Sequence, residues 1–282
     1  MIPKPLTEVF SRNEMPNPAE LEQVVVELKK QPKHYSDDKT QGYYDRLQRA
    51  CSWLAKAKRI AVNPEAEFIF AWIALNALCG VRKEVLTTEW WEKEQKSHPA
   101  FRRPQKYRVL AELEWFLWHI TSLDIDNLLR DVIKRRFSDL KTVVRTRFLM
   151  PDFWNWKCRT KEDIKNAADD SERRIRDFIS ESSVFDQEKL YWVLSEVING
   201  RLRILRNQLF HGCATDTHSK RHDAGGGELG AGTRILTDMI WAFITLMTTE
   251  PGRALYWPPI PFPRADSPQH QQFDVSWMSP MS

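Results

Sequence analysis

The segment between Asn63 and Gly80 carries apolar side chains on nearly every side of a helix. Asn63 can cap the helix, and Pro64 can occupy its first position, where the missing N–H costs nothing. Gly80 supplies a stop signal at the other end. Because a helix that is apolar all round must be surrounded by other elements, we expect residues 64–79 to form the centre of the core.

Asn76 is the polar exception within this segment. A buried amide most often satisfies the backbone of a neighbouring element. The alternative is a role for Asn76 beside an active site. The first interpretation is favoured.

Glycine is scarce, and long stretches contain neither glycine nor proline, so the composition favours an all-α protein. The chain is long enough to bury a large core without metals or disulfides. Hydrophobic periodicity and capping residues predict the remaining helices. They cover residues 18–30, 43–59, 105–120, 124–149, 160–181, 187–209 and 234–249.

Cysteine usage and the lack of long apolar runs bear on location. Cys51, Cys79, Cys158 and Cys213 are scattered and form no C-x-x-C pair, which is typical of reduced thiols in the cytoplasm. The chain shows no secretory leader pattern and no apolar run of membrane-spanning length. We therefore expect a cytoplasmic protein without a membrane segment. The formal net charge of +4 favours an anionic partner only mildly.

The segment from Arg206 to Gly212, RNQLFHG, places a cation, an amide and an imidazole within two helical turns. Arginine forks onto phosphate oxygens, and histidine can both accept and give a proton near neutral pH. Asn207 and His211 are four residues apart and share one helical face, with Arg206 about 100° to the side. The negative end of the helix dipole favours protonated His211.

The same residues have a plainer interpretation, because arginine and histidine near a helix end can simply bind the last carbonyl groups. A second arginine–histidine pair, Arg264 and His270, lies in a proline-rich tail with Pro268 between its members. That pair is rejected as a helical motif.

Four cations on the predicted helix 124–149 fall within a stripe about 60° wide and about 22 Å long. They are Arg130, Lys134, Lys141 and Arg145. Such a stripe can track the phosphates of RNA. The alternative is an ordinary solvated helix face.

Zinc binding is an alternative interpretation of the region after Phe210. Four side chains there are potential ligands, namely His211, Cys213, His218 and His222. Structural zinc sites usually pair their ligands in two compact knuckles, and only His218 and His222 have a familiar separation. We therefore predict no metal and no cofactor.

Four segments together resemble the HEPN superfamily, a domain shared by higher eukaryotes and prokaryotes that binds nucleotides. The likeness spans roughly residues 43–263 and is strongest at the R-N-x-x-x-H core. The segments are WIALNALCG at residues 72–80, RNQLFHG at 206–212, RIL at 234–236 and WPP at 257–259.

This resemblance implies a helical bundle, often dimeric, with a metal-independent ribonuclease site in which Arg206 and His211 are catalytic and Asn207 is the polar residue after the arginine. It also implies a toxin–antitoxin or antiviral defence setting, with an antitoxin or another defence protein as partner. Members paired with a nucleotidyltransferase antitoxin often have tyrosine two places after the histidine, where this chain has Cys213.

The sequence thus predicts an appendage at residues 1–40, a HEPN-like bundle with extra helices at 41–263, and a flexible proline-rich tail at 264–282. The preferred function is an endoribonuclease in which the RNA 2′-hydroxyl attacks phosphorus and leaves a 2′,3′-cyclic phosphate. A homodimer is expected, because one imidazole cannot easily serve both sides of phosphorus. The alternatives are a non-catalytic module that binds RNA, a nucleotide or a protein, and a zinc-dependent protein.

Overall fold

The computed structural model describes residues 14–30, 38–80, 111–151, 160–181, 186–210 and 227–249. These residues form an all-α fold, with no strand among them. The helices are α1 (Pro18–Lys29), α2 (Asp38–Arg59), α3 (Pro64–Cys79), α4 (Ala111–Thr121), α5 (Leu128–Arg135), α6 (Phe137–Arg145), α7 (Lys161–Ser180), α8 (Gln187–Leu194), α9 (Arg203–Phe210) and α10 (Glu228–Thr249), with a π-helical segment (Ser195–Leu202) and a 3-10 turn (Arg147–Leu149).

Helix α3 lies in the core, as its sequence predicts. The Asn63 side chain accepts a hydrogen bond from the Ala66 N–H at 3.1 Å, and the Gly80 N–H donates to the Asn76 carbonyl at 2.9 Å. Phe68 and Leu75 are fully buried. Helices α2 and α10 both pack against α3. The prediction that α3 belongs to the core is therefore confirmed, but α10 rather than α3 is the helix buried along nearly its whole length.

Asn76 itself does not behave as expected, because its side chain is exposed. The interpretation as a buried, partnered core amide is wrong. Hydrophobicity on all sides of α3 implied that every position is covered, yet at Asn76 the helix faces solvent. The polar residue stands at the position where the surrounding elements leave α3 open.

Helix α10 is buried along nearly its whole length and packs against α3, α6 and the π-helical segment that precedes Arg206. A Cβ atom placed on Gly232 would lie 2.9 Å from Leu205 Cδ2 and 3.1 Å from Leu202 Cδ2. Glycine therefore permits a close approach of these two leucine side chains to α10. The packing predicted for residues 234–249 against the motif helix is confirmed, although α10 begins earlier, at Glu228.

Helix α1 belongs to the same core as the rest of the bundle. Asn17 forms a capping box with Glu20, and Leu21, Val24 and Leu28 are buried with the core residues of other helices. The described part of residues 1–40 thus packs on α2. The predicted domain limits stay predictions, and the tail at 264–282 lies outside the described residues.

The single helix predicted for residues 124–149 is wrong, because the backbone leaves helical geometry at Asn127, Arg136 and Thr146. Asn127 has a left-handed backbone (φ 60°), and helix α5 begins only after it. At Arg136 the backbone leaves the helical region (φ −96°, ψ 16°) between α5 and α6. The Arg136 Nε donates to Asp238 Oδ2 of α10 at 2.8 Å, so a contact distant in sequence accompanies the second bend.

The helix predicted for residues 187–209 is continuous but not regular. Between α8 and α9 the chain adopts a π-helix, in which the Arg203 N–H donates to the Ile198 carbonyl five residues earlier. This wider turn changes the rotation of α9, and hence of Arg206, relative to α8. Among the described residues, no helix has both the length and the apolar character that a membrane crossing requires.

Candidate functional site

Arg206 and Asn207, the residues of the R-N-x-x-x-H motif that the structure describes, lie in α9. Leu205 and Leu209 are buried against the core, and the Gln208 Nε2 donates to the Phe148 carbonyl at 2.8 Å. Arg206 and Asn207 are only half-buried. Packing of the apolar side of α9 thus leaves the two polar motif residues on its more open side.

The Arg206 guanidinium is held by two neighbours on its own helix. Its Nη1 donates to Asn207 Oδ1 at 2.9 Å, and its Cζ lies 4.5 Å from the centre of the Phe210 ring. Within the described part of the chain, no carboxylate pairs with Arg206, and its buried Nε has no hydrogen-bond partner. No described carboxylate therefore offsets the charge of this guanidinium, which suits an anionic ligand.

Several other arginines are held differently, by carboxylates. The Arg145 Nε donates to Glu172 at 2.5 Å, and the Arg234 Nη2 donates to Asp139 at 2.6 Å. The buried Arg201 donates its Nη2 to Glu196 at 2.7 Å. The first two ion pairs join separate helices, and the third lies within the π segment. In each pair the carboxylate offsets the charge of the arginine. Arg206 differs from them because its holders are an amide and an aromatic ring.

His211 follows Phe210 directly in the sequence and lies outside the described residues. The structure thus describes Arg206 and Asn207 of the predicted catalytic set and shows them in contact. The meeting of Arg206 with His211 stays a prediction. The zinc alternative also lies outside, since His211, Cys213, His218 and His222 are not described.

The predicted RNA-binding stripe divides into paired and unpaired cations. The Arg130 Nη2 donates to the Phe178 carbonyl at 3.0 Å, and the Lys141 Nζ lies 3.7 Å from Glu172 Oε1. Arg145 binds Glu172 as described above. Three of the four cations therefore contact α7 rather than forming an isolated face. Lys134 is exposed and has no ion pair within the described ranges. RNA binding by these four residues stays a prediction.

Glu172 is the acidic centre that the sequence analysis missed. Burial of this carboxylate opposes its ionisation, but the hydrogen bond from Arg145 and the charges of Arg145, Lys141 and Arg176 outweigh burial and lower its pKa. Glu172 therefore stays ionised. Its ion pairs with Lys141 and Arg145 link α6 to α7. Helical periodicity could not reveal this pairing, because it joins helices that are separated in sequence.

Phe210 is the second residue that the sequence analysis missed. Its spacing of four residues from Arg206 is one at which helical side chains meet, so the signal was present. It is 53% exposed, and among the described large apolar residues only Val26, Val62 and Ile125 are also exposed.

The described cysteines and acidic residues offer no obvious alternative chemistry. Burial raises the pKa of both Cys51 and Cys79 to about 12, which keeps these thiols protonated and unreactive. No group of three or more potential metal ligands occurs in the described ranges.

No family model, curated protein or solved structure matches the chain. The HEPN resemblance therefore depends on the sequence motifs alone and stays a prediction.

Proposed function

We propose that this protein is a metal-independent endoribonuclease whose site is centred on Arg206 and His211. The proposal depends on the surroundings of the Arg206 side chain. Its guanidinium is half-buried, charged, held by Asn207 and Phe210, and paired with no carboxylate among the described residues. A fixed cation with unused donors is what a developing phosphorane dianion requires.

The reaction needs only groups that this chain supplies. The ribose O2′ attacks the adjacent phosphorus, so an O2′–P bond forms while the P–O5′ bond breaks. One proton leaves O2′ and one is delivered to O5′, and His211 carries one of these transfers. Arg206 stabilises the charge on the non-bridging oxygens, and Asn207 orients Arg206 through the 2.9 Å hydrogen bond. The products are a 2′,3′-cyclic phosphate and a 5′-hydroxyl.

A second proton carrier comes from a second copy of the chain. In a two-fold dimer, two motifs can face one cleft, so that one His211 acts as base and the other as acid. In this proposal RNA is the substrate, Lys134 adds phosphate contacts outside the site, and the cellular setting is toxin–antitoxin or antiviral defence with a protein partner that restrains the activity.

Cleavage of RNA in EDTA by single-site variants tests the proposal. We expect Arg206→Ala to lower the rate by about 10²- to 10³-fold, because it removes transition-state charge stabilisation. His211→Ala should lower it by about 10²- to 10⁴-fold by removing the proton carrier. Arg174→Ala is the matched control, since Arg174 is a well-exposed arginine that pairs with Asp170 on α7, and it should retain full activity.

Each other outcome points to a different function. RNA binding without cleavage by the wild-type protein supports a non-catalytic module. Cleavage that EDTA abolishes supports metal-dependent chemistry. Equal activity of the wild-type, Arg206→Ala and His211→Ala proteins rejects the proposed site.

A further inference from the structure

Phe210 is the last residue of α9 and the most exposed residue of that helix. The Arg206 guanidinium carbon lies 4.5 Å from the centre of its ring, within the range of a cation–π contact. Burial of a large apolar ring would normally stabilise the fold, yet 53% of this side chain is exposed. Hydrophobic packing therefore does not by itself account for the phenylalanine at this position.

The kind of residue that holds an arginine decides what that arginine can bind. A carboxylate fixes the guanidinium firmly but cancels its charge and repels an approaching phosphate. Asp139 holds Arg234 in this way, and Glu196 holds Arg201. An aromatic ring fixes the guanidinium through its negative face and has no net charge. The Phe210 contact thus orients Arg206 without neutralising it.

Two contacts together restrict the guanidinium. The Asn207 Oδ1 fixes the Nη1 end at 2.9 Å, and the Phe210 ring supports the guanidinium carbon. Because both holders are uncharged, the cation is oriented before any ligand arrives. Preorientation of this kind reduces the conformational entropy that phosphate binding would otherwise cost.

We propose that Phe210 is a positioning residue, which holds Arg206 in the orientation that binds the scissile phosphate. The inference rests on the proposed function and extends it to a residue outside the R-N-x-x-x-H pattern. Phe210 acts through Arg206 and contacts no reacting atom. An aromatic residue is required at this position, and its hydrophobicity alone does not suffice.

Three variants separate positioning from packing. Phe210→Leu keeps an apolar side chain but removes the ring, and Phe210→Trp restores a ring with a stronger cation–π contact. Trp53→Leu is the matched control, because it removes the ring that lies 4.2 Å from the Lys56 Nζ on α2, a helix that carries no motif residue. We expect Phe210→Leu to lower kcat by about three- to tenfold with a smaller change in KM. Phe210→Trp and Trp53→Leu should keep kcat near the wild-type value.

A second measurement, which needs no activity, follows the Arg206 Nε–Hε resonance by NMR during titration with inorganic phosphate. In the wild-type protein and Phe210→Trp, we expect an initial shift from the ring current and saturable movement with phosphate. In Phe210→Leu the initial shift should vanish, and the apparent phosphate Kd should rise by about three- to tenfold. A circular dichroism spectrum of each variant verifies its helix content.

The two measurements distinguish failure of the inference from failure of the proposed function. If the wild-type protein does not cleave RNA but the NMR differences appear, the nuclease proposal fails and the role of Phe210 in anion binding stands. If Phe210→Leu keeps the wild-type phosphate titration, or if Phe210→Trp does not restore it, the positioning role is overturned.

Discussion

At the scale of single residues, Asp124 shows how burial and charge oppose each other. Its side chain is fully buried and accepts hydrogen bonds from the Leu129 N–H at 3.2 and 3.1 Å, so it caps the first turn of α5. Burial raises the pKa of the Asp124 carboxyl to about 7, although the backbone N–H groups partly offset this, and the nearby Asp131 and Asp126 raise it further.

We predict that Asp124 makes the folded state less stable as the pH rises. In the unfolded chain the carboxyl releases its proton near its ordinary pKa, about 4, whereas in the folded chain it retains the proton up to about 7. The free energy of unfolding should therefore fall by about 3 kcal/mol between about pH 4.5 and 7 and then level off. Urea unfolding at several pH values measures this fall.

Asp124→Asn is the control for this prediction, because an amide keeps the capping oxygen and does not titrate. Its free energy of unfolding should lack the fall due to Asp124, so the variant should become more stable than the wild type near neutral pH. Parallel pH profiles for the two proteins would show that Asp124 has an ordinary pKa in the fold.

At the scale of elements, the contact of Leu205 with α10 links the start of α9 to the core. At Gly232 of α10, an added Cβ would meet the Leu205 and Leu202 methyl groups. Leu205 directly precedes Arg206. Any displacement of α9 from α10 therefore moves the Arg206 backbone as well.

Gly232→Val should destabilise the protein by about 1–3 kcal/mol, because the added methyl groups overpack this contact. It should also lower RNA cleavage beyond the unfolded fraction. Gly200→Ala is the paired control, since a Cβ there meets nothing closer than Glu196 Oε2 at 3.6 Å. This change should be neutral or stabilising by at most about 1 kcal/mol. Equal stability of the two variants would remove the argument that Leu205 and Leu202 pack closely on Gly232.

The helices also show which structural features can be predicted from the sequence. Helices with local caps, such as α1 after Asn17 and α3 after Asn63, were predicted with nearly correct starts, because capping depends on residues within one turn. The bend at Arg136 was missed, because its side chain binds Asp238, about a hundred residues away. The π segment, Ser195–Leu202, was missed as well, because apolar periodicity is too coarse to distinguish π from α winding over eight residues.

The candidate site also combines features that the sequence predicts with features that only the structure shows. The motif arginine and asparagine were predicted from residue type, helical context and the HEPN resemblance, and their catalytic roles stay a prediction. The separation between Arg206, which no described carboxylate neutralises, and Arg145, which Glu172 neutralises, required the structure. Ion pairs between helices depend on tertiary packing, which a single helical wheel does not contain.

At the scale of the whole molecule, the proposed mechanism requires two chains. We predict that catalysis depends on both His211 residues of a dimer. When wild-type protein is mixed and re-equilibrated with excess His211→Ala, activity per wild-type chain should fall as mixed dimers replace wild-type ones. Light scattering should give a mass of about twice 33.2 kDa. Activity that stays constant per wild-type chain would mean that one chain suffices.

The most direct test of the account is the chemical identity of the RNA ends after cleavage in EDTA, read by mass spectrometry of the fragments. Attack by the neighbouring 2′-hydroxyl predicts a 2′,3′-cyclic phosphate on one fragment and a 5′-hydroxyl on the other. A substrate with 2′-deoxyribose at the scissile position should stay intact. Fragments with 3′-hydroxyl and 5′-phosphate ends, or cleavage of the deoxy substrate, would contradict the proposed roles of Arg206 and His211.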